Sequence, residues 1–203
     1  MTKLDYYYDF VSPFSYLLHE QLHRLPKTVE LNYIPVLFAG LLKHWGNLGP
    51  VEIDQKKIFT YRHTTWLAKK LELPFRIPDT HPFNPLPYLR LSIAKDNDPE
   101  LVTSIFRAIW TREDNPATDT GRQAIWRSIG IPDADDLIND AEVKSALISN
   151  TQKATEQGVF GVPSISVNDE MFWGLDSFEI LLDYLENPDL FDSTSMARLK
   201  QIN

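Results

Sequence analysis

Cysteine is missing from all 203 residues. That absence excludes disulfides, thiolate zinc sites and cysteine nucleophiles together, and with them dithiol–disulfide exchange by the protein's own side chains. Positive charge is also short: 20 Lys and Arg stand against 28 Asp and Glu, a net charge of −8. Phosphate binding relies on clustered cations, so this balance argues against nucleic acid as a partner. No apolar run reaches membrane-spanning length, and no basic segment followed by an apolar one opens the sequence. The expectation is a cytoplasmic protein without a membrane partner. Fixed-period repeats and low-complexity runs are absent as well.

What is there suits a soluble globular protein, 43% hydrophobic and 24% charged, with length for one core or one core carrying a large insertion. Leu4–Phe10 is rich in Tyr and Phe and reads as a buried strand. Ser12 then stands as an N-cap candidate with Pro13 at the first helical position, and the helix is expected to run to Leu25. "TVELNYIPV" (28–36) alternates as a second strand. From Phe38 to Gly158 the pattern is helical, beginning with the amphipathic stretch 54–71 and punctuated by Pro and Gly. Asp98 and Asp133 are read as helix starts, Gly130 and Gly158 as stops. Strand character returns in 161–167 and 170–174 around an Asn168-Asp169 turn. Asp176 or Ser177 is expected to cap a last helix, Phe178–Leu185. The plan is α/β: βαβ, a helical block, then ββα. Residues 1–37 and 159–190 are read as one domain, 38–158 as an all-helical insertion, and 191–203 as a loosely held polar tail.

Two places carry chemistry. A helix N-terminus offers unpaired N–H groups, and Ser12 adds a hydroxyl there; Ser12 equally reads as a plain helix cap. Ser12 and Ser15 have the spacing of a Cys-x-x-Cys motif, at the strand–helix junction where that motif sits. In "FGVPSISV" a proline opens a strand, and a cis Val162-Pro163 bond beside the helix tip would leave the Val162 backbone free to pair with a peptide-like ligand. Asp9 is either a buried carboxylate tuning this site or a strand end in contact with water. Trp45, Trp66, Trp110 and Trp173 are candidates for a pocket wall and, each singly, for core. "HEQLH" (19–23) fits the zinc pattern H-E-x-x-H, but no third ligand follows, and His19 and His23 fall to a partly solvated face; no metal is expected. "DADDLINDAE" (133–142) reads as a solvated helix entry.

Taken together these features resemble the thioredoxin fold with a helical insertion. "DYYYDFVSPFSYL", "GNLGP", "HPFN" and "VFGVPSISVNDEMFWGLDS" are similar to the 2-hydroxychromene-2-carboxylate isomerases and the related kappa-class glutathione transferases, within the DsbA-like thioredoxin superfamily. The resemblance implies that glutathione brings the missing cysteine and that the Ser12 hydroxyl meets its sulfur. It implies Val162, before Pro163, as the backbone partner of the cysteinyl unit, Asn47 beside the tripeptide, and Lys56, or its neighbour Lys57, as the family lysine. Asp176 and Ser177 stand where that family often has Asp-Arg; the missing guanidinium removes a bidentate carboxylate clamp. The implied activity is glutathione-dependent cis–trans isomerisation of a small aromatic substrate of the hydroxychromene-carboxylate or benzylidenepyruvate type, by reversible thiolate addition. The implied assembly is a homodimer. The alternatives are conjugation of electrophiles, as in the kappa transferases, and a cysteine-free thioredoxin-fold module that binds peptides.

Overall fold

The computed structural model describes residues 1–202. Its one mixed sheet has four strands: β1 (Thr2–Tyr8), β2 (Val29–Pro35), β3 (Ser164–Val167) and β4 (Glu170–Trp173), in the order β2-β1-β3-β4. β1 is parallel to β2 and antiparallel to β3, with Tyr6 opposite Tyr33 on one side and Ile165 on the other. Helix α1 (Pro13–His19) joins β1 to β2. Between β2 and β3 come α2 (Phe38–Trp45), α3 (Asp54–Lys70), α4 (Leu86–Ala94), α5 (Pro99–Thr111), α6 (Asp119–Ser128), α7 (Ala134–Leu137) and α8 (Ala141–Glu156). After β4 come α9 (Phe178–Glu186) and the single turn α10 (Thr194–Ala197). The βαβ, helices, ββα order expected from the sequence is present.

Alternation along β1 divides the core. Leu4, Tyr6 and Tyr8 face a large cluster that includes Phe106 and Trp110 of α5 and Phe178 and Leu181 of α9. Tyr7 points to the opposite face and a smaller cluster with Leu41 of α2, Ala154 of α8, Val159 and Val162. The hairpin between β3 and β4 turns at Asn168 and Asp169, both at positive φ (49° and 67°), the geometry that favours Asn and Asp there. Gly130 and Gly158 follow α6 and α8 with φ of 78° and 82°, as helix stops do.

Several boundaries differ from the sequence expectation. β1 stops at Tyr8 because Asp9 turns inward. α1 ends at His19, and Leu22–Arg24 continue as a separate 3-10 turn. Leu22 and Leu25 are three apart, a spacing a 3-10 turn satisfies as well as an α-helix does. Asp98 caps α5 by accepting from the Leu101 N–H at 2.8 Å. Asp133 precedes only the one-turn α7 and makes no cap bond; Asp140 caps the long α8. The acidic run is not merely solvated: the Asp135 carboxylate accepts from the buried indole of Trp126 at 2.9 Å and from Arg122 and Gln123. Nor is the start of the tail loose, since Phe191 stacks on Tyr184 and Phe172. No helix among the described residues is long and apolar enough to cross a membrane.

Candidate active site at the head of the sheet

β1 and β2 run parallel and β3 antiparallel, with Tyr8 opposite Pro35 and Tyr7 opposite Ser164. The turn after β1, the chain leaving β2 and the loop entering β3 therefore meet at one end of the sheet. Ser12 and Val162 come together there across 150 residues of sequence. The Ser12 hydroxyl is 6% exposed, accepts the Ser15 N–H at 3.2 Å and donates to the Val162 carbonyl at 3.4 Å. The Val162–Pro163 bond is cis. The Pro163 carbonyl accepts from the Gly174 N–H, whereas the Val162 N–H has no partner among the described residues.

Asp9 is fully buried, which rules out the strand end in contact with water. One carboxylate oxygen accepts the Val11 N–H at 3.0 Å, and the other the Phe38 N–H at 2.9 Å, where the chain from β2 enters α2. Burial pushes its pKa up to about 7, against the lowering effect of these two backbone bonds. The Ser12 N–H also closes the turn onto the Asp9 carbonyl at 3.0 Å.

His81 holds the same turn from the insertion. Its Nε2 lies 2.7 Å from the Val11 carbonyl and its Nδ1 2.9 Å from the Tyr61 hydroxyl of α3. A carbonyl only accepts, so Nε2 carries the proton and Nδ1 accepts from Tyr61 in the neutral ring. Burial lowers the His81 pKa; the bond to Val11 opposes this and the nearby Lys57 charge reinforces it. The sequence reading held His81 only as part of "HPFN". No local pattern shows that it reaches across 70 residues to Val11.

The other expected residues are placed less uniformly. Trp45 donates its indole N–H to the Val159 carbonyl at 2.9 Å, which draws the Gly46-Asn47 turn towards the loop carrying Val162. Asn47 is exposed, and its side chain has no partner among the described residues. Lys56 is exposed and has no partner among the described residues; the neighbouring Lys57 lies 5.9 Å over the Tyr61 ring, towards His81 and the tip. Asp176 and Ser177 form a 3-10 turn that packs against α1, but neither side chain caps α9. The Ser177 hydroxyl instead donates to the Gly174 carbonyl at 2.9 Å, closing its own turn. Trp110 is core, its indole bonded to the Phe10 carbonyl, whereas Trp45 and Trp173 are half-exposed on the Val162 side. Trp173 lies over Gly161, where an added Cβ would meet its Nε1 at 2.5 Å, and packs edge-on to Phe160. Trp66 continues a chain of rings along α3 through His63 to Phe14, two residues from Ser12.

The histidines of the H-E-x-x-H pattern do not share a helix face. Contrary to the solvated placement expected, His19 is buried, with Nε2 2.8 Å from Thr103 and a pKa lowered by burial to about 4. His23 lies beyond the end of α1 with its ring on the Glu20 carbonyl, and Glu20 forms a bidentate pair with Arg107. No group of three or more His, Asp or Glu that could hold a metal is found among the described residues.

The DSBA-like thioredoxin domain family matches residues 3–186. A 2-hydroxychromene-2-carboxylate isomerase of Sphingobium xenophagum is 28% identical, covering 91% of this chain and 99% of its own. Glutathione S-transferase kappa 2 of Caenorhabditis elegans is also 28% identical, covering 91% of this chain and 92% of its own. The solved structure of a 2-hydroxychromene-2-carboxylate isomerase superposes with a TM-score of 0.80, at 22% identity, over 98% of both chains. A cytosolic disulfide reductase of Pseudomonas aeruginosa solved with GSH superposes with a TM-score of 0.60 at 15% identity, covering 98% of this chain and 99% of its own.

Proposed function

The chain belongs to the DSBA-like thioredoxin family, and from that footing we propose that it is a glutathione-dependent isomerase of the 2-hydroxychromene-2-carboxylate type. The observation that carries the reading is the meeting of the Ser12 hydroxyl with the Val162 carbonyl, beside an unpartnered Val162 N–H. The family's dithiol chemistry is closed to a chain without cysteine. A peptide thiol laid along Val162 would restore a sulfur at the same spot. When bound, glutathione supplies the nucleophilic sulfur for reversible addition to the conjugated double bond of the substrate, which is what cis–trans isomerisation requires.

The residues fit such a guest. The oxygen of Ser12 is held by the Ser15 N–H, so the proton is what this hydroxyl has to offer outward. Its present acceptor is 3.4 Å away, a weak hold. An anionic sulfur is the stronger acceptor, and a charge-assisted bond to it is shorter and about twice as strong as a neutral one. α1 is only seven residues long, so its dipole is a small addition and the hydroxyl does most of the stabilising. Val162 offers its N–H to the backbone of the cysteinyl unit. Asn47, Lys56 or Lys57, and Asp176 with Ser177 are assigned to the rest of the tripeptide. With the Ser177 hydroxyl committed to Gly174, backbone N–H groups and the Asp176 carboxylate carry the γ-glutamyl end. The sheet unit, 1–37 with 159–190, holds the sulfur, while the helical insertion 38–158 shapes the side of an aromatic substrate. Trp45, Trp173 and the rings along α3 are its apolar surfaces. The homodimer rests on the resemblance, and the cytoplasmic setting on the sequence reading.

A relative of equal identity named as a kappa glutathione transferase favours conjugation of electrophiles as a second reading. The same sulfur site serves both. The test is calorimetric titration with reduced glutathione alongside turnover assays on a chromene carboxylate and a chlorinated nitrobenzene. For wild type, saturable binding with chromene turnover supports the isomerase, and turnover of the nitrobenzene alone supports the transferase. Ser12→Ala is expected to keep the fold and lose roughly 10²–10³-fold in turnover, as removal of one preorganised donor does. Unchanged turnover in Ser12→Ala refutes the mechanism. Failure of wild type to bind glutathione moves the peptide-binding module forward.

A further inference from the structure

A second cleft lies away from Ser12, where faces of α2, α4 and α8 converge. Its volume is about 360 Å³, within the range of small-molecule sites. On α8 the lining positions run from Lys144 through Leu147, Ile148 and Thr151 at helical spacing, so one whole face of the helix forms the wall. Gly40 lets α2 come close at the floor: a Cβ there would stand 2.9 Å from the Thr151 side chain. None of Ser12, Asn47, Val162 or Pro163 takes part.

The lining carries three basic side chains, His44, Arg90 and Lys144, and no carboxylate, in a chain of net charge −8. Arg90 is half-buried, its Nε fully shielded and without a hydrogen-bond partner. Neither Arg90 nor Lys144 has an ion pair among the described residues. A shielded guanidinium N–H without an acceptor is costly. The Nε edge is closed to a ligand, so the two terminal nitrogens, which are not shielded, form the edge that takes a carboxylate or sulfonate side-on. Beside these cations the walls are apolar, with Leu86 from α4 and Leu147 and Ile148 from α8.

We propose that the cleft between α2, α4 and α8 is a binding site for a small amphipathic organic anion, its acid group held by Arg90 and Lys144 and its apolar body lying on Leu86, Leu147 and Ile148. The site is independent of the glutathione reading, because its residues are not those at the helix tip.

Fluorescence titration with 8-anilinonaphthalene-1-sulfonate tests this, with the uncharged N-phenyl-1-naphthylamine as the matching probe without the acid. The sulfonate is expected to bind saturably in the presence of excess glutathione. Arg90→Gln with Lys144→Gln should weaken it by about tenfold or more, the loss expected for one or two charge-assisted contacts. The uncharged probe should bind at least tenfold more weakly to wild type and be indifferent to the double substitution. Neither side chain has a hydrogen bond or ion pair among the described residues, so the melting temperature should hold and report an intact fold. Equal affinity of the two probes, no effect of the double substitution, or displacement of the sulfonate by glutathione would each overturn the assignment.

Discussion

Replacing Asp9 with Asn separates two opposing effects of the same buried carboxylate. Asp9 uses both oxygens to accept N–H groups, from Val11 and Phe38. Asn offers one oxygen and would set an NH₂ against the other donor, so the substitution costs about 1–3 kcal/mol at any pH. The ionisable proton works the other way. The folded-state pKa is about 7, against an ordinary value of 3.8. Between these values the unfolded chain has lost the proton and the folded chain keeps it, so stability falls as pH rises. The shift, taken at about 1.36 kcal/mol per pH unit, amounts to roughly 4 kcal/mol across the window. This loss is complete above pH 7 and absent below 3.8, and Asp9→Asn does not experience it. Urea denaturation of both proteins between pH 4.5 and 8 reads the difference directly, since all other groups cancel. The variant should be less stable at pH 4.5 and gain on wild type steadily, drawing level or passing it by pH 8. A difference that stays flat, or grows with pH, would refute the argument.

His19 contributes the opposite slope over much of the same range. Its folded pKa is lowered from 6.5 to about 4, so the stability it lends is whole above pH 6.5 and is lost as pH falls towards 4, on the order of 3 kcal/mol. His19→Gln should remove that acid-side loss relative to wild type, as read by denaturant midpoints at pH 4.5 and 7. The two slopes are opposite in sign, so Asp9→Asn and His19→Gln should tilt the pH profile of stability in opposite directions relative to wild type. Gly121 tests packing: a Cβ there would fall on the Asn115 carbonyl, which is backbone and cannot turn aside. Gly121→Ala is expected to cost about 2–3 kcal/mol, measured by thermal melting, and an unchanged melting temperature would contradict that close approach.

The parts of the site that could be read from sequence are those with local grammar. Ser12 before a proline at a helix start, the strand-opening Pro163 and the Asn168-Asp169 turn each declare a backbone geometry that their neighbours enforce. That the two ends share one sheet follows, because two short amphipathic halves have no other core to share. What stayed hidden depends on partners far along the chain. Asp9 is buried because the Phe38 N–H arrives from the end of β2, and no pattern around Asp9 announces that. His81 looked like one residue of a motif, yet its function is to join Tyr61 to Val11. Leu18, Leu22 and Leu25 made the first helix look longer than it is, since their spacing also accommodates a 3-10 turn. Asp135 sat in an acidic run that reads as solvated, and only the fold brings the Trp126 indole to it.

The contact between Ser12 and Val162 has a consequence for the order of events in synthesis. The two halves of the site are separated by 150 positions, and β3 and β4 are made only after the whole helical insertion. A chain emerging from the ribosome carries Ser12 early, but has no opposing backbone until residues beyond Pro163 are free to fold. Closing so long a loop has an entropic cost and is slow compared with forming the helices in between. The corner where Ser12 meets Val162 is therefore among the last features to form, and a truncated product ending inside the insertion would lack it.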